Sequence, residues 1–241
     1  MKLKSKLLLA LLAASAASFA NAEEAADPLA FNVGVVSEYR YRGMGQSRGE
    51  PALQGGADYT HSSGLYVGSW ASSIQWIRDS GAFGSTELDV YGGYKFEAAG
   101  LGYDVGVLRY QYLGNTLADA GQMNANTNEV YGAATAGPVT LKYSYSLTDL
   151  FGVTNSRGSE YWDLSATFDL GQGYSLVPHA GRQYVANNSG LNYTDVALTL
   201  NKDLGDGLSA SLAAVKASYD AYYSTYNAGK SALVVGVKYT F

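Results

Sequence analysis

The sequence contains no cysteine, four prolines and two histidines. Without cysteine there is no disulfide framework, so an exported fold has to be stabilised in another way. Charged residues make up 15% of the chain, and the mean hydropathy of −0.09 fits neither a helical membrane protein nor a typical soluble domain. The 16 Lys and Arg residues, three of them within the first six positions, stand against 21 Asp and Glu residues. This acidic balance argues against a nucleic-acid partner.

No apolar run is long enough for a transmembrane helix. The run at residues 7–17 has about eleven residues, whereas a spanning helix needs roughly 20. It follows three lysines within residues 2–6 and precedes the small-residue triplet Ala-Asn-Ala at 20–22. Residues 1–22 are therefore predicted to be a cleaved signal peptide, and residues 23–241 a single exported domain.

Sustained helical periodicity is also missing, and a two-residue alternation takes its place. About twelve segments, each close to ten residues long, alternate between apolar residues and small or polar ones, the pattern of half-buried strands. The predicted strands cover residues 29–41, 51–60, 64–74, 85–96, 102–112, 129–136, 139–148, 160–170, 174–184, 193–201, 208–217 and 231–241. The chain is predicted to be all-β.

The connections between these segments alternate in length. Those after even-numbered strands are short and rich in turn-forming residues, and those after odd-numbered strands are longer and polar. This sorting is typical of a transmembrane antiparallel up-and-down β-barrel with short periplasmic turns and longer extracellular loops. An even strand count also brings both chain ends to the periplasmic side. The alternative, a soluble barrel with its apolar face turned inward, gives no reason for such sorting.

The final strand gives the clearest alternation. Leu233, Val235, Val237, Tyr239 and Phe241 share one face, which we expect to contact lipid. A last strand that ends in an aromatic residue resembles the C-terminal signal that outer-membrane barrels present to their assembly machinery. Tyr239 and Phe241 are therefore predicted to form an assembly signal.

Three stretches near the start of the chain contain recognisable sequence motifs. Residues 36–43 contain an S-x-Y-x-x-R-G element, residues 49–59 follow it, and residues 63–72 contain G-x-Y-x-G-x-W-x-S. Together with residues 87–94 and 104–112, they resemble the TorF family of proteobacterial proteins regarded as porins. The resemblance implies a small outer-membrane pore, and it brings no catalytic or substrate-binding residues with it.

A barrel of twelve strands is wider than barrels of about eight strands, whose side chains fill the interior, so part of the lumen should stay open. The predicted pore-lining residues are Glu38, Arg40, Asp58, Glu87, Asp89, Lys95, Asp104, Glu129, Lys142, Asp163, His179, Asp195 and Lys238. Acids outnumber bases in this set, which predicts a slight preference for cations. Alternatively, these residues are wall salt bridges that select nothing.

Two long connections carry further expectations. Residues 113–128, uncharged except for Asp119, are predicted to fold inward and narrow the pore. Residues 218–226 contain four tyrosines, which either extend a strand pair above the membrane or form an adhesive aromatic patch.

The function expected from these features is passive diffusion of small hydrophilic solutes or ions through an outer-membrane, porin-like channel. A non-conducting structural or adhesive barrel is the alternative. An outer-membrane enzyme ranks third, because His61 and His179 are the only histidines and no HExxH, P-loop, GxSxG or metal-spaced cluster is present. We expect no cofactor and no metal. The expected partners are outer-membrane lipid and lipopolysaccharide, periplasmic chaperones and the barrel-assembly machinery.

Overall fold

A computed structural model describes residues 28–219, 222–223 and 226–241. The predicted signal peptide, residues 1–22, lies outside the described residues. The strands are β1 (Leu29–Val36), β2 (Arg40–Tyr41), β3 (Met44–Gly45), β4 (Ala52–Thr60), β5 (Leu65–Ser73), β6 (Thr86–Ala98), β7 (Leu101–Leu113), β8 (Thr127–Ala136), β9 (Val139–Ser146), β10 (Glu160–Ala166), β11 (Phe168–Gly171), β12 (Tyr174–Tyr184), β13 (Tyr193–Gly205), β14 (Leu208–Ala217), β15 (Tyr222–Tyr223), β16 (Tyr226–Asn227) and β17 (Ala232–Thr240). Helix α1 (Trp76–Asp79) and a 3₁₀ turn at Ser189–Leu191 are short. Within these ranges, no helix is long and apolar enough to cross a membrane.

The long strands form one closed antiparallel barrel. Each long strand pairs with the long strands before and after it in the chain. The short strands form two separate ribbons, β2 with β3 and β15 with β16. Strands β10 and β11 follow one another along β12, so the wall has twelve strand positions. Closure is made by β1 on β17, with Val35 opposite Val237. The predicted fold, an all-β antiparallel barrel of about twelve strands, is confirmed.

Strand boundaries agree closely with the alternation, with one informative exception. Strands β12 and β14 cover the predicted residues 174–184 and 208–217. By contrast, β1 ends at Val36, although the alternation predicted a strand to residue 41. The chain leaves the wall there and forms the β2–β3 hairpin, in which Arg40 pairs with Gly45 and Tyr41 with Met44.

The short connections are tight hairpin turns. Between β13 and β14, Asp206 and Gly207 both have positive φ, at 50° and 80°, as a type I′ turn requires. A side chain at Gly207 would collide with the carbonyl oxygen of Thr240. The five short connections between wall strands span two to four residues and the six long ones span eight to 15, so the predicted sorting is confirmed.

The barrel inverts the usual arrangement of a soluble protein. Its outer face exposes large apolar side chains, including Leu53, Val67, Val107, Leu164, Leu198 and Leu233. The positions of the strands that face inward hold buried acidic residues, including Glu87, Asp89, Asp104, Glu129, Asp163 and Asp195. An apolar outside with a polar inside is stable when hydrocarbon surrounds the barrel.

Apolar packing is concentrated at the end of the barrel where the long connections lie. Trp76 of α1 packs edge-on against Tyr112 of β7, with ring centroids 5.2 Å apart. Ile77 and Leu117 are buried in the same cluster. Residues 113–128 were expected to fold inward and narrow the pore. Leu117 packs in this apolar cluster, which also contains Tyr39 and which we call the cap, and residues 114–126 do not border the internal cavity. The narrowing of the pore by this connection stays a prediction.

Candidate functional site: the lumen and its inserted hairpin

The first long connection enters the barrel. We call residues 38–46 the inserted hairpin. Its turn residues Arg42 and Gly43 both have positive φ, at 45° and 77°. A side chain at Gly43 would overlap Asp195 of β13, so the backbone approaches the wall closely at this point.

Arg42 anchors the tip of the hairpin to two wall strands. Its Nη2 lies 2.7 Å from Oε2 of Glu129 on β8, across the barrel from β1, and its Nη1 donates to Oε1 of Gln183 on β12 at 3.0 Å. Its guanidinium also lies 4.2 Å from the ring centroid of Tyr161. Burial lowers the pKa of Arg42, but Glu129 and two neighbouring tyrosines raise it, and the pKa lies well above its usual value. The anchor is therefore a charged, buried ion pair.

Two tyrosines fix the hairpin from the side. The hydroxyl of Tyr39 donates to Oε1 of Glu87 at 2.7 Å, and its ring packs edge-on against Trp70. Burial and the nearby carboxylate of Glu87 raise the pKa of Tyr39 well above its usual value, so the phenol keeps the proton that it donates. Tyr41 hydrogen-bonds Tyr110 through the hydroxyls. The hairpin therefore has both polar and aromatic contacts with the wall.

Glu38 and Arg40 belong to this hairpin and not to the wall, where the sequence placed them. They form an ion pair of 2.9 Å, and Arg40 also donates to the carbonyl oxygens of Ala228 and Lys230. The hydroxyl of Tyr226 bonds Glu38. The last long connection is thus bound to the first.

The tyrosine-rich segment 218–226 falls partly outside the described residues, at 220–221 and 224–225. Within the described part, Tyr219 stacks on Tyr193 and Tyr226 is buried against the inserted hairpin. Ala217, at the end of β14, donates its backbone N–H to Gly229 before β17, and beyond it β15 pairs with β16 as a separate ribbon. An antiparallel pair thus continues from β14 and β17 in the described residues, which agrees with the expected strand extension.

A cavity of about 640 Å³ extends from the hairpin towards the short-turn end, where Ala30, Thr60 and Thr240 border it. Ten of the thirteen predicted lining residues border this cavity: Glu38, Arg40, Asp58, Asp89, Lys95, Asp104, Lys142, His179, Asp195 and Lys238. Glu87, Glu129 and Asp163 face inward but are covered by Tyr39, Arg42 and His179 respectively.

This arrangement changes the charge balance of the cavity. Its acidic border residues are Glu38, Asp58, Asp89, Asp104 and Asp195, and its basic ones are Arg40, Arg42, Lys95, Lys142 and Lys238. The acidic excess that suggested a cation preference is absent from this border. Three acids are covered, and Arg42, which the sequence placed in an outer loop, enters the lumen.

Four inward-facing tyrosines lie flat on the wall because the neighbouring strand offers a glycine. The pairs are Tyr66 with Gly93, Tyr91 with Gly68, Tyr131 with Gly106 and Tyr161 with Gly181. A Cβ on any of these glycines would overlap the ring or hydroxyl of its tyrosine. The glycines thus leave space for large side chains that would otherwise extend into the lumen.

Three of these tyrosines carry a cation over the ring. Lys95 Nζ lies 4.9 Å from the ring centroid of Tyr66, Lys142 Nζ lies 4.1 Å from that of Tyr131, and Arg42 covers Tyr161. We call each arrangement a glycine–tyrosine–cation stack. Such contacts stabilise buried or partly buried positive charges.

The histidines do not form a recognisable catalytic pair. His179 lies between Asp163, 3.1 Å from Nε2, and Asp195, 3.5 Å from Nδ1, and no serine of the described chain hydrogen-bonds it. His61 contacts Ser63 in an exposed short turn, where both cap the turn backbone. Across the described ranges, no group of three His, Cys, Asp or Glu residues is arranged to hold a metal ion.

A closed twelve-stranded barrel with an apolar exterior and a polar lumen is the fold of outer-membrane porins. The chain is similar to the KdgM porin, with a TM-score of 0.55, 8% identity, and 88% of this chain and 99% of that one covered. It is also similar to the NanC porin, with a TM-score of 0.56, 11% identity, and 88% of this chain and 98% of that one covered. A third similar structure is the outer membrane protein Omp33 of Acinetobacter baumannii, with a TM-score of 0.52, 10% identity, and 88% of this chain and 97% of that one covered. At such identities the similarity concerns the fold alone.

The chain belongs to the Gcw_chp family, described as bacterial proteins of unknown function, whose model matches residues 21–241. No curated protein matches the sequence. The resemblance of the opening strands to the TorF family stays a prediction.

Proposed function

We propose that this protein is a porin-like channel of the outer membrane through which small hydrophilic solutes or ions diffuse passively. The observation that carries the proposal is the polar cavity of about 640 Å³ inside a closed barrel with an apolar exterior. A filled barrel would have no such space, and a soluble one would not expose this face. The porin fold of the similar structures supports the same class.

The loops suggest an orientation. The short turns and both chain ends would lie in the periplasm, and the longer connections outside. Residues 1–22 would direct export, and periplasmic chaperones and the assembly machinery would deliver the barrel to a membrane containing lipopolysaccharide. In this orientation the inserted hairpin narrows the outer half of the channel.

Single-channel recording tests this function. The mature chain, residues 23–241, is refolded in detergent, its folding is checked by heat-modifiable gel mobility, and it is added to a planar lipid bilayer in potassium chloride. We expect unitary conductance steps that polyethylene glycols of increasing size cease to reduce once they are too large to enter. Protein kept unfolded in urea is the control. Folded, inserted barrels that never conduct would reject the channel and favour a structural or adhesive barrel.

A further inference from the structure

One of the four glycine–tyrosine pairs lacks its cation. Tyr91 lies over Gly68 as Tyr131 lies over Gly106, and it borders the cavity. No lysine or arginine of the described chain covers its ring, whereas Lys142 covers Tyr131. The wall therefore presents an aromatic surface of the kind that binds cations, with that position left open to the lumen.

Carboxylates flank this ring. Asp58 accepts a hydrogen bond of 2.5 Å from the hydroxyl of Tyr91. Asp89, two residues before Tyr91 on the same face of β6, is only 2% exposed, and its Oδ1 has no hydrogen-bond partner. Lys238 also interacts electrostatically with Asp58, whereas Asp89 has no ion-pair partner in the described part of the chain. A buried, unpaired carboxylate beside an open aromatic ring favours a positively charged ligand.

We propose that the lumen binds an organic cation, with its ammonium group over the ring of Tyr91 and near Asp58 and Asp89. This inference deepens the proposed channel function by naming a solute class. The ligand would complete the fourth stack in the position that Lys95, Lys142 and Arg42 occupy in the other three.

The ligand chemistry follows from the groups present. A ring face and a carboxylate attract an ammonium group without a full set of oxygen ligands, whereas a calcium ion takes about six to eight oxygens. A substituted ammonium group also sheds its water more readily than a small metal ion. Tyr91 and Asp89 therefore suit an alkylammonium head group better than an inorganic ion.

Choline and its neutral isostere 3,3-dimethylbutan-1-ol have the same shape and differ in charge, so comparing their binding isolates the contribution of the positive charge. Binding to the refolded mature chain is measured by isothermal titration calorimetry in detergent. We expect choline to bind, and the isostere to bind at least about tenfold more weakly, in line with the strength of a partly desolvated cation–π contact. Equal binding of the two probes would overturn the proposal.

Variants locate the site. Tyr91→Leu should weaken choline binding about tenfold, Tyr91→Phe should stay within about threefold of the wild type because the ring remains, and Asp89→Asn should weaken binding. Tyr131→Leu is the matched control, because Lys142 already covers that ring, and it should leave the affinity of choline nearly unchanged. Heat-modifiable mobility confirms that each variant folds. Equal losses for Tyr91→Leu and Tyr131→Leu, or no loss for Tyr91→Leu, would reject the site.

The two proposals fail separately. A barrel that binds choline through Tyr91 but never conducts would retain the binding site and reject the channel. A conducting barrel that binds no choline would reject only the site.

Discussion

The guanidinium of Arg42, at the tip of the inserted hairpin, lies 2.7 Å from the carboxylate of Glu129 on the far wall of the barrel. Both side chains are almost fully buried. Loss of one partner of such a pair leaves an uncompensated buried charge, which costs about 3–5 kcal/mol. We therefore expect this contact to be a main anchor of the first connection inside the lumen.

Substitution of Arg42 should release the hairpin. In Arg42→Met, we expect a larger single-channel conductance and a free energy of unfolding lower by about 3 kcal/mol, because Glu129 loses its buried partner. Arg157→Met is the matched control, since Arg157 is exposed in the connection between β9 and β10 and forms no ion pair in the described part of the chain. Exposed substitutions of this kind change stability by less than about 0.5 kcal/mol, so the control should match the wild type. An Arg42→Met channel of unchanged conductance would show that the hairpin does not limit the pore.

Adding a side chain at Gly106 should disturb Tyr131. A Cβ at position 106 would overlap the ring and hydroxyl of Tyr131, which would have to turn into the lumen. We expect Gly106→Val to lower the free energy of unfolding in urea by about 1–3 kcal/mol and to reduce conductance. Gly132→Ala on the adjacent strand is the control, because a Cβ there meets its nearest atom, Val105 Cγ1, only at 4.0 Å. Equal stability of the two variants would contradict this interpretation of the glycine.

Deletion of Phe241 should impair assembly. Its backbone exchanges two hydrogen bonds with Phe31, of 2.8 and 2.9 Å, and the two rings stack. We expect the deletion to reduce heat-modifiable barrel in outer-membrane fractions to a minor part of the wild-type level, because the closing pair of strands loses its last residue. Phe241→Tyr keeps the ring and both hydrogen bonds, and should assemble normally. Undiminished barrel after deletion would argue against an assembly signal at this residue.

The tip of the third long connection should not control the pore. Residues 118–122 are exposed and do not border the cavity, whereas Leu117 is buried in the cap. Replacement of residues 118–122 by two glycines should therefore leave single-channel conductance at the wild-type value. Leu117→Ala, by contrast, should lower stability by about 2–4 kcal/mol, as large-to-small changes in a packed core do. A clear rise in conductance for the tip replacement would restore the inward position first expected for this connection.

The sequence by itself determined the strands, the order of short and long connections and the face that each wall residue takes. These features are local, since alternation of apolar and polar residues along one strand already separates its two faces. Strand β12 could thus be predicted to the residue, and Asp58, Lys95 and Lys238 could be assigned to the interior.

Only the tertiary structure decided which of the inward-facing residues meet the cavity. Residues 38–42 alternate like a wall strand, yet they enter the lumen. Arg42 binds Glu129 and Gln183 there, and these two residues lie on strands far away in sequence. The pairing of Tyr91 with Gly68 likewise depends on the register between β5 and β6. Contacts across a closed barrel depend on strand register and on the shape of the whole wall. The alternation along a single strand predicts neither of these.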